Sequence, residues 1–308
     1  MKRFAAFFGL VGLGGGWALV SPASLDSPTF DLVSVQDSGT YFVYSYSMSN
    51  PATSTEAIGP FVLSISASSG TPSPLAATGN FYDYSNLTHA PGNAAPRAEV
   101  GPMTPTGWTA LLQRTATVRW YPTVAGLQHL DSIAPDSTIT GFGLRSSYLP
   151  GISSVLAEPT WQACCSVMNP VTQQNPIPDT FAVSASAVAP KYMPSEVELD
   201  LLQSQLTAIC GSLFWLDNSS LCTEFGDLLD EAEVDETNGS HYGAASVLGH
   251  LSSRVSTEQA EFESSGYWLF SLNVEQAREN LLAAAAASAD QWHFVEGEHQ
   301  GPRRVGRR

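Results

Sequence analysis

Residues 42–48 read Phe42-Val43-Tyr44-Ser45-Tyr46-Ser47-Met48. Phe42, Tyr44, Tyr46 and Met48 alternate with smaller side chains, mostly serines. Because successive side chains of a strand point to opposite faces of a sheet, this stretch predicts a β-strand with one buried face.

The same alternation returns along the first half of the chain. Its apolar positions are Phe61, Leu63, Ile65 and Ala67, then Ala110, Leu112, Ala116, Val118 and Trp120, then Phe142 and Leu144, and finally Phe181, Val183, Ala185 and Ala187. Glycine and proline turns such as Leu149-Pro150-Gly151 separate the segments. Roughly seven to nine short strands with no helical pattern between them predict an antiparallel β-sandwich, Ig-like or jelly-roll-like, over residues 24–190.

The period changes after residue 190. Leu199, Leu202, Leu206 and Ile209 recur at intervals of three and four, which is the spacing of an amphipathic helix. Three further helices are predicted around residues 225–232, 244–255 and 270–281. Short connections between them favour an antiparallel helical bundle over residues 191–290. We interpret residues 291–308, which end in arginines, as a disordered tail.

Charge divides the chain at the same place. The net charge is −16, and residues 191–300 hold 19 acidic side chains against three basic ones, whereas acids and bases balance in the remainder. So large a step in composition predicts a domain boundary. The negative net charge argues against nucleic acids and anionic lipids as partners.

Residues 206–281 carry a resemblance to a known module. Leu216-Asp217-Asn218 precedes a helix that ends after Leu229 to Ala232, and Gly239 is followed by Ala244-Ala245 and Leu248. This arrangement resembles the FIMAH-type helical module, an accessory domain found towards the C-terminus of secreted bacterial and archaeal proteins. The N-terminal half looks like domains of uncharacterised secreted bacterial β-sandwich proteins. Neither resemblance implies a catalytic activity.

The N-terminus predicts export. Met1-Lys2-Arg3 precedes an apolar run to Val20, and the small residues of Ser21-Pro22-Ala23 suit a signal peptidase. We therefore interpret residues 1–23 as a signal peptide and expect a secreted or extracytoplasmic bacterial protein, in the periplasm or at the cell surface. A retained anchor is the alternative, although four glycines weaken this run as a spanning helix. No later segment is apolar over a length that could span a bilayer.

Four cysteines agree with an oxidising compartment. Cys164 and Cys165 are adjacent, and Cys210 and Cys222 flank a turn between two predicted helices. Three connectivities are open. We favour the local Cys210–Cys222 bridge over bridges from the adjacent pair, which would tie the two halves together. Zinc is the competing interpretation, but no histidine lies near these cysteines in sequence.

No catalytic, metal or cofactor signature is present. The histidines lack the spacing of a metal site, and the acidic group around Asp230 to Glu236 does not match a calcium-binding loop. His129, Asp131 and Asp136 share one loop, and Asp83 with Glu99 would serve as a carboxylate pair only if the fold brought them together. We expect none of these residues to be catalytic.

Aromatic residues near strand ends are the candidate binding residues. Exposed rings on a sandwich stack on sugars or contact a partner. We select Tyr82, Tyr84 and Trp108, and burial of all three would remove the idea. The sequence thus favours a non-catalytic binding or adhesion-type protein whose partner is a polysaccharide or an envelope protein. A glycan-active hydrolase and a purely structural surface component stay open as alternatives.

Overall fold

A computed structural model describes residues 25–39, 41–65, 103–113, 117–122, 124–125, 128–129, 131–146, 148–160, 182–191 and 199–298. These residues form two antiparallel sheets, a two-stranded ladder and four α-helices. The order of β structure followed by helices is the predicted one. Tyr82 and Tyr84, the pair Cys164-Cys165, and Asp83 with Glu99 lie outside the described residues.

The first sheet has three strands in the order β1-β2-β8. They are β1 (Thr29–Asp37), β2 (Phe42–Asn50) and β8 (Ser137–Ser146). Tyr44, Tyr46 and Met48 are buried on one face of β2, as the alternation predicts. All pairings of the sheet are antiparallel.

The second sheet has five strands in the order β10-β9-β3-β5-β4. They are β3 (Ile58–Ser64), β4 (Trp108–Gln113), β5 (Thr117–Pro122), β9 (Pro150–Pro159) and β10 (Val183–Pro190). These pairings are antiparallel too. A separate two-stranded ladder joins β6 (Val124–Ala125) to β7 (Gln128–His129).

Aromatic rings from the two sheets meet in the core. The ring centroid of Phe61 in the five-stranded sheet lies 5.3 Å from that of Phe30 and 4.9 Å from that of Phe142, both in the three-stranded sheet. Trp120 is fully buried among them. Large rings in mutual contact remove much apolar surface from water, and this burial stabilises the packing of the two sheets.

Met103 connects the sheets at one edge. Its backbone forms two hydrogen bonds with Gly143 of β8, and its carbonyl also accepts the indole N–H of Trp120 from the other sheet at 3.0 Å. A Cβ on Gly143 would overlap the Met103 side chain and the Tyr44 carbonyl. Glycine at position 143 therefore permits the close approach of Met103 to β8.

The helices are α1 (Leu199–Cys210), α2 (Ser219–Thr237), α3 (His241–Thr257) and α4 (Ser264–Glu298), with a 3₁₀ turn at Gln259–Glu261. The predicted apolar stripes are buried, including Leu202, Phe225, Leu248 and Phe270. Each helix packs on its neighbour in sequence, and α1 also packs on α4. Within the described part of the chain, no helix combines the length and apolar character of a membrane span.

Helix α4 is longer than predicted. It includes residues 291–298, which the sequence analysis assigns to a disordered tail, so the prediction is corrected for these residues. The alanine tract after Leu282 propagates the helix, because alanine has the highest helix propensity. Residues 299–308 lie outside the described residues.

The start of α4 binds the edge of the three-stranded sheet. The pairing register of β1 shifts between Leu32 and Ser34, which marks a bulge at Val33. The Ser265 hydroxyl accepts the buried Leu32 N–H at 2.9 Å, and the Trp268 indole N–H donates to the Val33 carbonyl at 3.0 Å. Helix α4 thus satisfies backbone groups at an edge that would otherwise be open to another strand.

A second contact ties α4 to the other sheet. The Asn273 side chain is fully buried, and its Nδ2 donates to the carbonyl of Pro150 in β9 at 3.0 Å. Helix α4 also contacts β10. The helices and both sheets therefore share polar as well as apolar contacts.

We expect the junction, meaning the contact between β1 and the start of α4, to respond to pH through Asp31. Burial raises the pKa of this carboxyl, the Thr29 hydroxyl lowers it, and the negative charge of Glu263 raises it further. An acid whose folded pKa is raised makes the folded state less stable at neutral pH, and this penalty disappears as the pH falls through that pKa. Asp31→Asn should raise the melting temperature at pH 7 by no more than about 2 °C. This gain in melting temperature should vanish at pH 3. Scanning calorimetry of the wild type and the variant at both pH values measures it.

The matched control is Asp227→Asn, at an exposed position on α2. This variant should not gain melting temperature at pH 7 and lose the gain at pH 3. An equal gain at pH 7 and pH 3 for Asp31→Asn would contradict the electrostatic explanation.

Candidate functional site: a serine-lined cavity at the end of the five-stranded sheet

A cavity of about 420 Å³ lies where β3 ends at Ser64. Strands β9 and β10 continue past this point, since Gly151 still pairs with Ala189 and Pro150 with Pro190. The unequal strand lengths produce the cavity. Its described lining includes Ser64, Ile65, Ile152, Ser153, Ser154 and Lys191.

Hydroxyl groups supply the polar part of the lining. Ser153 donates its hydroxyl to the backbone carbonyl of Ser64, which links β9 to the last residue of β3. Ser154 is exposed and Ser64 is half-buried. A hydroxyl both donates and accepts hydrogen bonds, so these groups suit a ligand that also carries hydroxyls.

Lys191 is the charged residue of the described lining. Its backbone N–H donates to the Leu149 carbonyl at 2.9 Å, so the residue continues the pairing of β10 with β9. Its side-chain carbons lie over Gly151, in the space that a Cβ at that position would occupy. The stem is thus packed on the sheet while the residue as a whole is exposed, as is common for lysine.

A row of hydroxyls extends from the cavity across the outer face of the sheet. Ser186 of β10 pairs with Ser154 of β9, and Ser64 of β3 pairs with Thr117 of β5. Leu63 of β3 pairs with Val155 of β9. Because the strands are antiparallel, the next residue of β3, Ser64, lies opposite Ser154. Paired residues share a face, and neighbouring strands are about 4.8 Å apart. The four side chains therefore form a regular hydroxyl row perpendicular to the strands.

Trp108, the one predicted binding residue within the described part of the chain, lies in the core. It is 5% exposed, and its ring centroid lies 5.6 Å from that of Phe61 and 5.0 Å from that of Phe142. Its ring therefore cannot stack on a ligand at the surface. The burial of Trp108 could be predicted from the sequence, because residues two apart in a strand lie on the same face and Ala110 is buried.

Of the residues weighed for a hydrolase, Asp131 and Asp136 lie within the described part of the chain and have described surroundings. The carboxylate of Asp131 lies against Gly107, a glycine with a φ of +83°. Asp136 is exposed in a left-handed conformation, with a φ of +59°. Neither residue lines the serine cavity.

Asp230 and Glu233 of α2 line a second depression of about 330 Å³ together with three uncharged residues. Among the described residues, no three His, Cys, Asp or Glu side chains are placed to hold a metal ion. We interpret this surface as a solvated helix face.

The Cys210–Cys222 disulfide is present, with a Cα–Cα distance of 6.1 Å. It joins the end of α1 to the first turn of α2, so the favoured local connectivity is confirmed. The side chain of Asn218 caps α2 by accepting the Leu221 N–H at 3.3 Å.

Comparison with known proteins adds no identification. A scan against protein-family models found no match to the chain. A search of curated protein sequences also found no match.

Proposed function

We propose that this protein is a secreted, non-catalytic binding protein whose partner is a polysaccharide of the bacterial envelope or exterior. In this proposal the β half is an antiparallel sandwich of the Ig-like or jelly-roll-like kind. The helical half is an antiparallel accessory bundle, comparable to the FIMAH-type module that residues 206–281 resemble.

The observation that carries the proposal is the serine cavity with its hydroxyl row. A saccharide presents many hydroxyls, and Ser186, Ser154 and Ser64 of the row present complementary groups along one face of the sheet. Ile152 is partly exposed and adds apolar surface to the cavity. Binding sites commonly combine an apolar lining with a few placed polar groups.

Two features support the proposed location. Residues 1–23 have the pattern of a signal peptide. The Cys210–Cys222 disulfide is compatible with an oxidising compartment outside the cytoplasm.

The test is co-sedimentation of the chain lacking residues 1–23 with insoluble polysaccharides and purified envelope fractions. We expect retention on at least one polymer without release of reducing ends. The double variant Ser154→Val with Ser186→Val removes two hydroxyls of the row with side chains that suit a strand, and it should be washed off.

The matched control is Thr140→Val, an exposed position of β8 in the three-stranded sheet, and it should be retained. Retention on no polymer and no envelope fraction would contradict the proposal. Release of reducing ends would show the hydrolase instead.

A further inference from the structure

Five basic residues lie within the described part of the chain: Arg119, Arg145, Lys191, Arg254 and Arg278. Three of these bind glutamates: Arg119, Arg254 and Arg278. The guanidinium of Arg145 lies over the ring of Tyr41 at 5.9 Å. Lys191 is therefore the one cation of this set that has neither an acidic nor an aromatic partner among the described residues.

The surroundings of Lys191 are unusual for this molecule. The chain has a net charge of −16, yet the described lining of the cavity contains no acidic side chain. Its other polar groups are the neutral hydroxyls of Ser64, Ser153 and Ser154. Among the described lining residues, Lys191 therefore has no carboxylate beside it that would compete with a ligand oxyanion for its charge.

We propose that the cavity selects an acidic saccharide, with Lys191 binding a carboxylate or phosphate oxyanion and the serines binding adjacent hydroxyls. This assignment rests on the proposed function, since it names the ligand class of the same site. An ammonium group donates charge-assisted hydrogen bonds to oxyanions, and these are stronger than bonds between neutral groups.

The overall charge of the protein narrows the class of ligand further. An acidic protein repels a densely charged polyanion at long range. A saccharide with isolated acidic groups among neutral sugars meets the single cation and the hydroxyl row while avoiding most of that repulsion. Isolated carboxylates or phosphates on a largely neutral glycan are therefore the expected ligand.

The test is calorimetric titration of the chain lacking residues 1–23 with two pairs of soluble oligosaccharides. One pair is a partly esterified galacturonate oligosaccharide and its fully methyl-esterified form. The other is a monophosphorylated oligosaccharide and its dephosphorylated form. We expect the acidic member of at least one pair to bind about tenfold more tightly than its neutral partner, because a hydrogen bond to a charged group is stronger than one between neutral groups. The pair that shows the preference identifies the oxyanion.

The variant Lys191→Met keeps the stem over Gly151 and removes the charge, so it should abolish this preference. Lys191→Arg should keep most of the preference. The matched control is Arg278→Met on α4, which should bind like the wild type.

Two results would overturn the inference. Equal binding of acidic and neutral members by the wild type overturns the assignment of an acidic ligand while the proposed binding function stands. Binding of no member of either pair, together with no retention on insoluble polymers, overturns both.

Discussion

Arg119→Met should lower the free energy of unfolding by about 3–5 kcal/mol, the largest effect that we expect from a single substitution in this chain. The Arg119 Nη2 donates to both carboxylate oxygens of Glu158 at 2.9 Å, and both side chains are nearly excluded from solvent. Losing the arginine takes a cation away from a nearly buried carboxylate, so the desolvation cost of that charge is compensated less well. Urea unfolding of the full chain followed by circular dichroism measures the loss.

Two further variants test this explanation. Arg119→Met combined with Glu158→Leu removes both charges and should recover most of the lost stability, because apolar replacement of a buried pair is often tolerated. Arg254→Met removes the ion pairs with Glu224 and Glu258, which are partly open to solvent, and it should change the unfolding midpoint little. Equal losses for Arg119→Met and Arg254→Met would contradict the role of burial.

Replacing both Cys210 and Cys222 with serine should lower the free energy of unfolding by about 3 kcal/mol. The bridge closes a loop with a sequence separation of 12, and the cross-link reduces the conformational freedom of the unfolded chain. Unfolding of the wild type in urea should shift to lower concentration when a reductant is added. The same reductant should leave the double variant unchanged.

The double variant also serves as the control for Cys164 and Cys165, since any effect of reductant on it must come from that pair. An identical midpoint for oxidised and reduced wild type would show that the bridge does not stabilise the fold. Such a result would limit the disulfide to a kinetic or protective role.

Much of the secondary structure could be predicted because periodicity is a local property. Alternation at residues 42–48 places Tyr44, Tyr46 and Met48 inside, and intervals of three and four bury Leu202, Leu206 and Ile209. Patterns of this kind require only the geometry of one strand or one helix. Helix α4 extends beyond its predicted end because the helix propagates from the alanine tract through the polar residues that follow it.

The contacts between elements could not be predicted in the same way. The pair of Arg119 and Glu158 depends on β5 and β9 both flanking β3, an order that no local pattern records. The junction depends on a one-residue bulge at Val33 that directs backbone groups towards Ser265 and Trp268 of α4. A bulge changes the register without changing the apolar alternation on either side of it.

The serine cavity illustrates the same limit for function. Ser64, Ser154 and Lys191 are far apart in sequence and meet because β3 is shorter than β9 and β10. In the sequence, Lys191 is noticeable only as a base at the start of an acidic region. Aromatic residues near strand ends were the stronger sequence signal, yet Trp108 is part of the core.

Binding at the serine cavity is tested by hydrogen exchange, read by mass spectrometry, of the chain lacking residues 1–23 with and without a saturating soluble oligosaccharide of the polymer that retains it. We predict new protection at residues 64–65, 150–154 and 189–191, with little change in α2 and α3. Protection confined to the helices, or no protection at the end of the five-stranded sheet, would contradict it.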